Sequence, residues 1–115
     1  MSSIVEDVVL WLEDLGIDAY YDVPSVRPDS FAVVDLTGNP EEELTLHTAT
    51  LTITLWDTDA ANLRVTSQAI ISSRYSLMDI ESVFGSTIAN EYEDYDYDGG
   101  VFQRVILLRL LVEQY

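Results

Sequence analysis

The sequence contains no lysine and no cysteine. Its 115 residues include 21 acidic residues but only five arginines and one histidine. The formal net charge is -16 at pH 7. Lysine is among the commonest residues of soluble proteins, and arginine is the more weakly hydrated of the two cations. An acidic, lysine-free surface suits concentrated salt, because the Debye length falls to about 3 Å at 1 M and repulsion between carboxylates is screened. The composition therefore predicts a protein of a halophile or of its virus.

Other absences exclude whole classes of protein. Without cysteine there is no disulfide framework and no thiolate chemistry. Residues 1–7 include acidic side chains, whereas a signal peptide needs positively charged ones there. The longest nearly apolar run, residues 105–112, is broken by Arg109 and is too short to span a bilayer. Because the net charge repels nucleic acid and anionic lipid, we expect proteins or further copies of the chain as partners, and no membrane.

Two helices are predicted. Ser3 and Glu6 form a capping box, after which apolar residues recur at helical spacing until Gly16, a residue type that commonly follows a helix end. A second helix is expected to begin at an N-cap formed by Thr58 or Asp59, and its apolar stripe has the same period.

Strand signals lie between and after these helices. Residues 31–37 are rich in β-branched and aromatic side chains, and residues 44–56 alternate apolar residues with threonine at a period of two. Residues 83–92 are expected to be extended with an interruption at Gly85, and residues 102–113 are apolar on both faces. A strand of the last kind is central and covered on both faces, or a neighbouring subunit covers one of them.

This order of elements predicts an α+β fold in which one mainly antiparallel sheet carries two helices packed on a face. A chain of this length and hydrophobic content has room for one core, so we expect a single domain that spans residues 1–115.

No catalytic constellation is visible in the sequence. His47 is the only histidine, and there is neither a Gly-x-Ser-x-Gly elbow nor a glycine-rich phosphate loop. A half-buried histidine on a strand is the simplest interpretation of His47. We therefore expect that the chain is not an enzyme and needs no cofactor.

One acidic segment partly matches a calcium-binding loop. Asp94, Asp96, Asp98 and Gly99 occupy its positions 1, 3, 5 and 6, but position 12, which needs a bidentate glutamate, is Val105. The simplest interpretation is an acidic hairpin turn. The alternative is a metal site formed by the three aspartates that holds a cation loosely.

Arginines are scarce cations in so acidic a chain, and we expect them to anchor carboxylates within or between subunits. A partner in the same chain is the simpler expectation for each of Arg27, Arg64, Arg74, Arg104 and Arg109. The threonine face of the long strand is expected to be a solvent-exposed surface or a contact surface.

Several segments together resemble a known family. A run at residues 21–38, which contains Pro24 and Pro28, leads into the long alternating strand. An alanine-rich helix follows, and an acidic turn then opens a last strand that bears arginine, residues 96–110. The order resembles the tail terminator proteins of long-tailed double-stranded DNA viruses, the group related to the minor tail protein U of lambda. In that family a D-x-x-t-g-x-x-R turn opens the last strand. This chain departs from the motif, because Gln103 intervenes before Arg104.

The resemblance implies a small subunit that forms a ring, commonly a hexamer, which caps the tail tube and joins the tail to the neck. The implied partners are further copies of the chain, the tail tube protein and a neck or connector protein, while DNA passes through the lumen without specific binding. With the composition, the implied location is the tail–neck junction of a virion assembled in the salt-rich cytoplasm of a haloarchaeal host.

Four residues of the resembling segments are candidates for a subunit or partner interface: Arg27, Phe31, Arg104 and Arg109. Two alternatives stay open. One is another neck ring, such as a head–tail connector or tail completion protein, and the other is a small cation-binding interaction module.

Overall fold

Five strands form one sheet in the order β1-β2-β3-β5-β4 in the computed structural model, which describes residues 4–25, 28–38, 46–80, 83–96 and 100–113. The strands are β1 (Ala19–Tyr20), β2 (Ser30–Gly38), β3 (Leu46–Asp57), β4 (Val83–Asp96) and β5 (Val101–Glu113). Only β1 and β2 pair in parallel, and the other three pairs are antiparallel. The predicted α+β fold with one mainly antiparallel sheet is confirmed.

Two α-helices, α1 (Ile4–Asp14) and α2 (Ala60–Ser72), and a 3₁₀ helix (Arg74–Asp79) complete the fold. Helix α1 ends before Gly16, whose φ of 84° is the left-handed conformation that glycine adopts without strain. Asp59 caps α2, because its side chain accepts hydrogen bonds from the backbone N–H groups of Ala61 and Asn62. The buried carboxylate of Asp57 accepts from the N–H of Asp59 and so fixes the turn between β3 and α2.

The strand register places one apolar layer under both helices. Leu51 lies between Leu36 of β2 and Leu108 of β5, and the side chains in phase with it on these strands form one core with the buried faces of α1 and α2. Each fully buried aliphatic side chain contributes about 1.5–3 kcal/mol. Both helices therefore pack on the same face of the sheet, as predicted.

Strand β4 is longer than predicted and contains two irregularities. It continues to Asp96, where the sequence predicted a turn that begins at Asp94; that prediction is wrong, because Asp94 pairs with Gln103 and Asp96 with Val101. The register shifts between Val83 and Gly85 and again between Ile88 and Asn90. Each shift inserts one extra residue, which exchanges the faces to which the following side chains point.

The core-facing side of β4 contains a buried hydroxyl without a partner. Ser86 is 4 % exposed, and its Oγ has no hydrogen-bond partner among the described residues. An unsatisfied buried hydroxyl destabilises a fold by about 1–3 kcal/mol.

We predict that Ser86→Ala raises the free energy of unfolding by about 1 kcal/mol, because it removes the unsatisfied group and leaves the packing in place. Urea unfolding at fixed salt measures this. Thr87→Ala, at the adjacent exposed position, is the control and is expected not to stabilise the chain. A lower unfolding midpoint for Ser86→Ala would contradict the prediction and indicate a partner for the hydroxyl.

Candidate assembly surfaces

The sheet has a second face, opposite the helices, which we call the open face. Its side chains alternate with those of the core along each strand, and no helix of the described part of the chain joins the core from this side. In β2, β3 and β5 it comprises Phe31, Val33, Asp35, Thr37, Thr48, Thr50, Thr52, Thr54, Trp56, Gln103, Val105, Leu107, Arg109 and Leu111. The predicted threonine face is the central row of this surface.

An aromatic cluster lies at one end of the open face. The rings of Phe31 and Trp56 stack at 5.0 Å between centroids with an interplanar angle of 14°, and Tyr20 meets Phe31 edge-on at 6.2 Å. Phe31 is only 3 % exposed. A partner on this end would therefore contact the rings that cover Phe31 more than Phe31 itself.

Along β2, β3 and β5, the open face carries little charge in a chain of net charge -16. In β2, β3 and β5, its described side chains include one carboxylate, Asp35, and one cation, Arg109, both exposed. Arg109 lies between Thr50 and Thr87 across the strands and forms no ion pair with any residue that the structure describes. Depletion of charge beside exposed apolar residues is typical of the centre of a protein interface.

The second irregularity of β4 keeps Glu91 and Glu93 off this face. Ala89 is the extra residue between Ile88 and Asn90. After it, Asn90 pairs with Leu107 on the open face, while Glu91 pairs with Ile106 on the helix-covered face. Without the inserted residue the two faces would be exchanged, and Glu91 would point outward from the open face.

On the helix-covered face, Glu91 and Glu93 contact two arginines. Arg104 of β5 forms ion pairs with Glu91 and Glu93, and its Nε donates to the hydroxyl of Ser67 on α2 at 2.9 Å. Arg64 of α2 adds an ion pair with Glu93 at 3.2 Å. The cluster ties α2 to the hairpin formed by β4 and β5, and it confirms the expectation of intramolecular carboxylate partners for Arg64 and Arg104.

Arg104 is the least exposed charged side chain of this cluster. Partial burial lowers the pKa of its guanidinium, and the neighbouring charge of Arg64 lowers that pKa further. A guanidinium stays protonated in proteins, so the cluster holds two cations against two carboxylates and is electrically balanced. The sequence contained no specific signal for this cluster, because the pairing depends on the extra residue in β4.

A second surface is a groove along α1 beside β1, with a volume of about 680 Å³. Its apolar wall includes Val9 and Leu10, and its carboxylates are Glu6, Glu13 and Asp22. Leu10 is 57 % exposed, so the groove combines apolar area with negative charge.

Tyr21, one of the two tyrosines that line this groove, lies in a negative potential. Loss of hydration raises the pKa of the Tyr21 hydroxyl, and the carboxylates of Glu6, Glu13 and Asp7 raise it further. A negative field disfavours the ionised phenolate and, by the same physics, favours a cation brought into the groove.

A third surface has the opposite character. Residues 60–78, which include α2, contain no acidic residue, and the outward side of α2 exposes Ala61, Arg64, Val65, Gln68 and Ala69. At its end, Arg74 donates to the carbonyl of Ile71 at 2.7 Å and lies 4.4 Å over the ring of Tyr75. Arg74 therefore lies beside the C-terminus of α2, where the helix dipole favours a cation.

The remaining predicted site residues lie beyond what the structure describes in atomic detail. Arg27 and Asp98 fall outside the described residues, and for Asp94, Asp96 and His47 only the backbone is described, within β4 and β3. In the described ranges no three histidine or acidic side chains are grouped to hold a metal ion. Neither α1 nor α2 is long and apolar enough to cross a membrane.

Known structures share this fold. A chain of the structure titled "Virion of native gene transfer agent (GTA) particle" matches with a TM-score of 0.61 and 12% sequence identity. The match covers 93% of this chain and 85% of that chain. No protein-family model and no curated protein match the sequence. At this identity the likeness establishes a common fold over nearly the whole chain.

We predict that Arg104→Gln lowers the free energy of unfolding by about 1–3 kcal/mol, because Glu91 and Glu93 are left without their shared cation. Urea unfolding at fixed ionic strength measures the loss. Arg109→Gln removes the same charge from an exposed position and is expected to change stability by less than about 0.5 kcal/mol. Equal losses in the two variants would show that the cluster contributes no more than overall charge.

Proposed function

We propose that this chain is a structural protein of a tailed virion or virion-like particle. In this proposal it forms a ring that caps the tail tube and joins the tail to the neck or capsid connector. The open face of the sheet is the observation that carries the proposal. Along β2, β3 and β5 this surface presents partly exposed apolar and threonine side chains and little charge, which suits contact with other proteins.

Strand β5 supports an assembled state most directly. It lies between β3 and β4 and presents apolar side chains on both faces, but the helices cover only one of them. Leu111 on the other face is 40% exposed. In a ring that contacts a tail tube, neighbouring proteins would cover this second face.

The fold likeness supports the particle type. The matching chain belongs to a virion particle of a gene transfer agent, and the correspondence extends over 93% of this chain. The segments that resemble tail terminators point to the same class by an independent route. The partners expected from both are other proteins of the particle and further copies of the chain.

The charge is consistent with a position around passing DNA. A ring of subunits that each carry a net charge of -16 would repel the phosphate backbone and let DNA slide without specific contacts. This role needs neither catalysis nor a cofactor. Another neck ring, such as a connector or tail completion protein, would use the same surfaces.

We expect the purified chain to form rings of about six copies at roughly 2 M salt, where charge repulsion is screened, and smaller species near 0.1 M, where the Debye length is about 10 Å. Light scattering gives the mass at each salt concentration, and negative-stain images show whether the large species has an open pore.

A compact monomer at every salt concentration would contradict the ring. It would favour the cation-binding alternative, for which calcium titration of the chain and of Asp96→Ala at constant ionic strength is the measurement. Equal binding by the two proteins would exclude that alternative as well.

A further inference from the structure

The two helices carry opposite charge although they lie on the same face of the sheet. Helix α1 contains the acidic residues Glu6, Asp7, Glu13 and Asp14 and no basic residue. The outward side of α2 contains no acidic residue and includes Arg64, with Arg74 just beyond its end. A chain with 21 acidic residues thus keeps one exposed helix surface free of them.

We propose that α2 of one copy docks on the acidic groove beside α1 of the next copy. The contact is head to tail, because the two surfaces that meet are different. Such a contact repeats from copy to copy and closes into a ring when the rotation between copies allows it. This inference rests on the proposed ring and names the surfaces that would build it.

The chemistry of the two surfaces is complementary. The groove offers the exposed Leu10 between the carboxylates of Glu6 and Glu13, which follow one another along one side of α1. The outward side of α2 offers Val65, 68% exposed, beside small residues that permit close approach. Arg64 beside it pairs with Glu93 of its own chain, but its side chain stays 64% exposed and can contact a second carboxylate. Helix in groove is a recurrent mode of protein recognition.

Electrostatics favours a second copy as the occupant of the groove. Two chains of net charge -16 repel one another through most of their surfaces. The surface of α2 is the described helical surface that a carboxylate-lined groove attracts. The same chain therefore provides both halves of a charge-complementary contact.

Two variants test the contact from its two sides. Val65→Glu places a carboxylate opposite the acidic groove, and Glu13→Arg places a cation in the groove opposite Arg64. Each is expected to raise the concentration needed for half-maximal ring formation by about tenfold or more, because like charges that meet in a contact cost 1.4 kcal/mol or more. Both should fold, since Val65 is exposed in a helix and position 13 is near a helix C-terminus, where a cation is favourable.

Mixing the variants gives the decisive readout. In an equimolar mixture, the glutamate at position 65 of one variant meets the arginine at position 13 of the other, and the second contact is unaltered. Rings with alternating copies should therefore form from two proteins that do not assemble alone, at the salt concentration at which the wild type forms rings. The double variant Val65→Glu, Glu13→Arg should also assemble.

The matched control is Ser25→Glu, which adds the same charge at an exposed position outside both the groove and α2 and is expected to assemble like the wild type. Rings formed by both single variants as readily as by the wild type would overturn the docking inference and leave the ring proposal standing. A failure of the mixture to restore rings would also overturn it. A wild type that never assembles would overturn both proposals.

Discussion

The antiparallel register of β3 and β5 is the constraint on which the rest of the structure depends. It sets Leu51 against Leu108 and Ile53 against Ile106 under the helices, and so leaves the threonines of β3 on the open face. A slip of β3 by one residue would exchange its two faces, burying threonine hydroxyls and exposing Leu51, Ile53 and Leu55. Because one side of each strand is apolar and the other is mixed, the register has a single favourable solution. The position of Arg104 beside Ser67 of α2 follows from the same register.

The acidic residues of the chain have very few cations with which to pair. The extra residue Ala89 turns Glu91 and Glu93 toward Arg104 on the helix-covered face. The same step keeps those carboxylates off the open face. One irregularity in one strand thus brings two carboxylates to a partly buried charge cluster and keeps these two off the open face. The extra residue of a bulge has this effect because side chains alternate between faces with a period of two.

Much of the fold was predictable because it depends on local patterns. The alternation of apolar residues and threonine in β3, the cap at Asp59 and Gly16 after α1 are each determined by neighbours in sequence. The length of β4 and its irregularities were not predictable, since the aspartates near its end favour a turn and pair only because β5 provides a partner strand. The acid-free residues 60–78 could have been recognised from the sequence, but only the fold shows that they form an exposed helix surface.

In an acidic assembly, the repulsion between subunits and the contacts between them act over different distances. Repulsion between whole subunits acts over distances of many ångströms, and salt at 1 M, with a Debye length of about 3 Å, removes most of it. Ion pairs and apolar contacts within a docked groove act at shorter distances and in less water, so salt weakens them much less. In the proposed ring, the separation of an acidic groove at α1 from an acid-free surface at α2 would give each copy one place where attraction outlasts screening. In concentrated salt, such an assembly would retain its contacts while it loses the repulsion that opposes them.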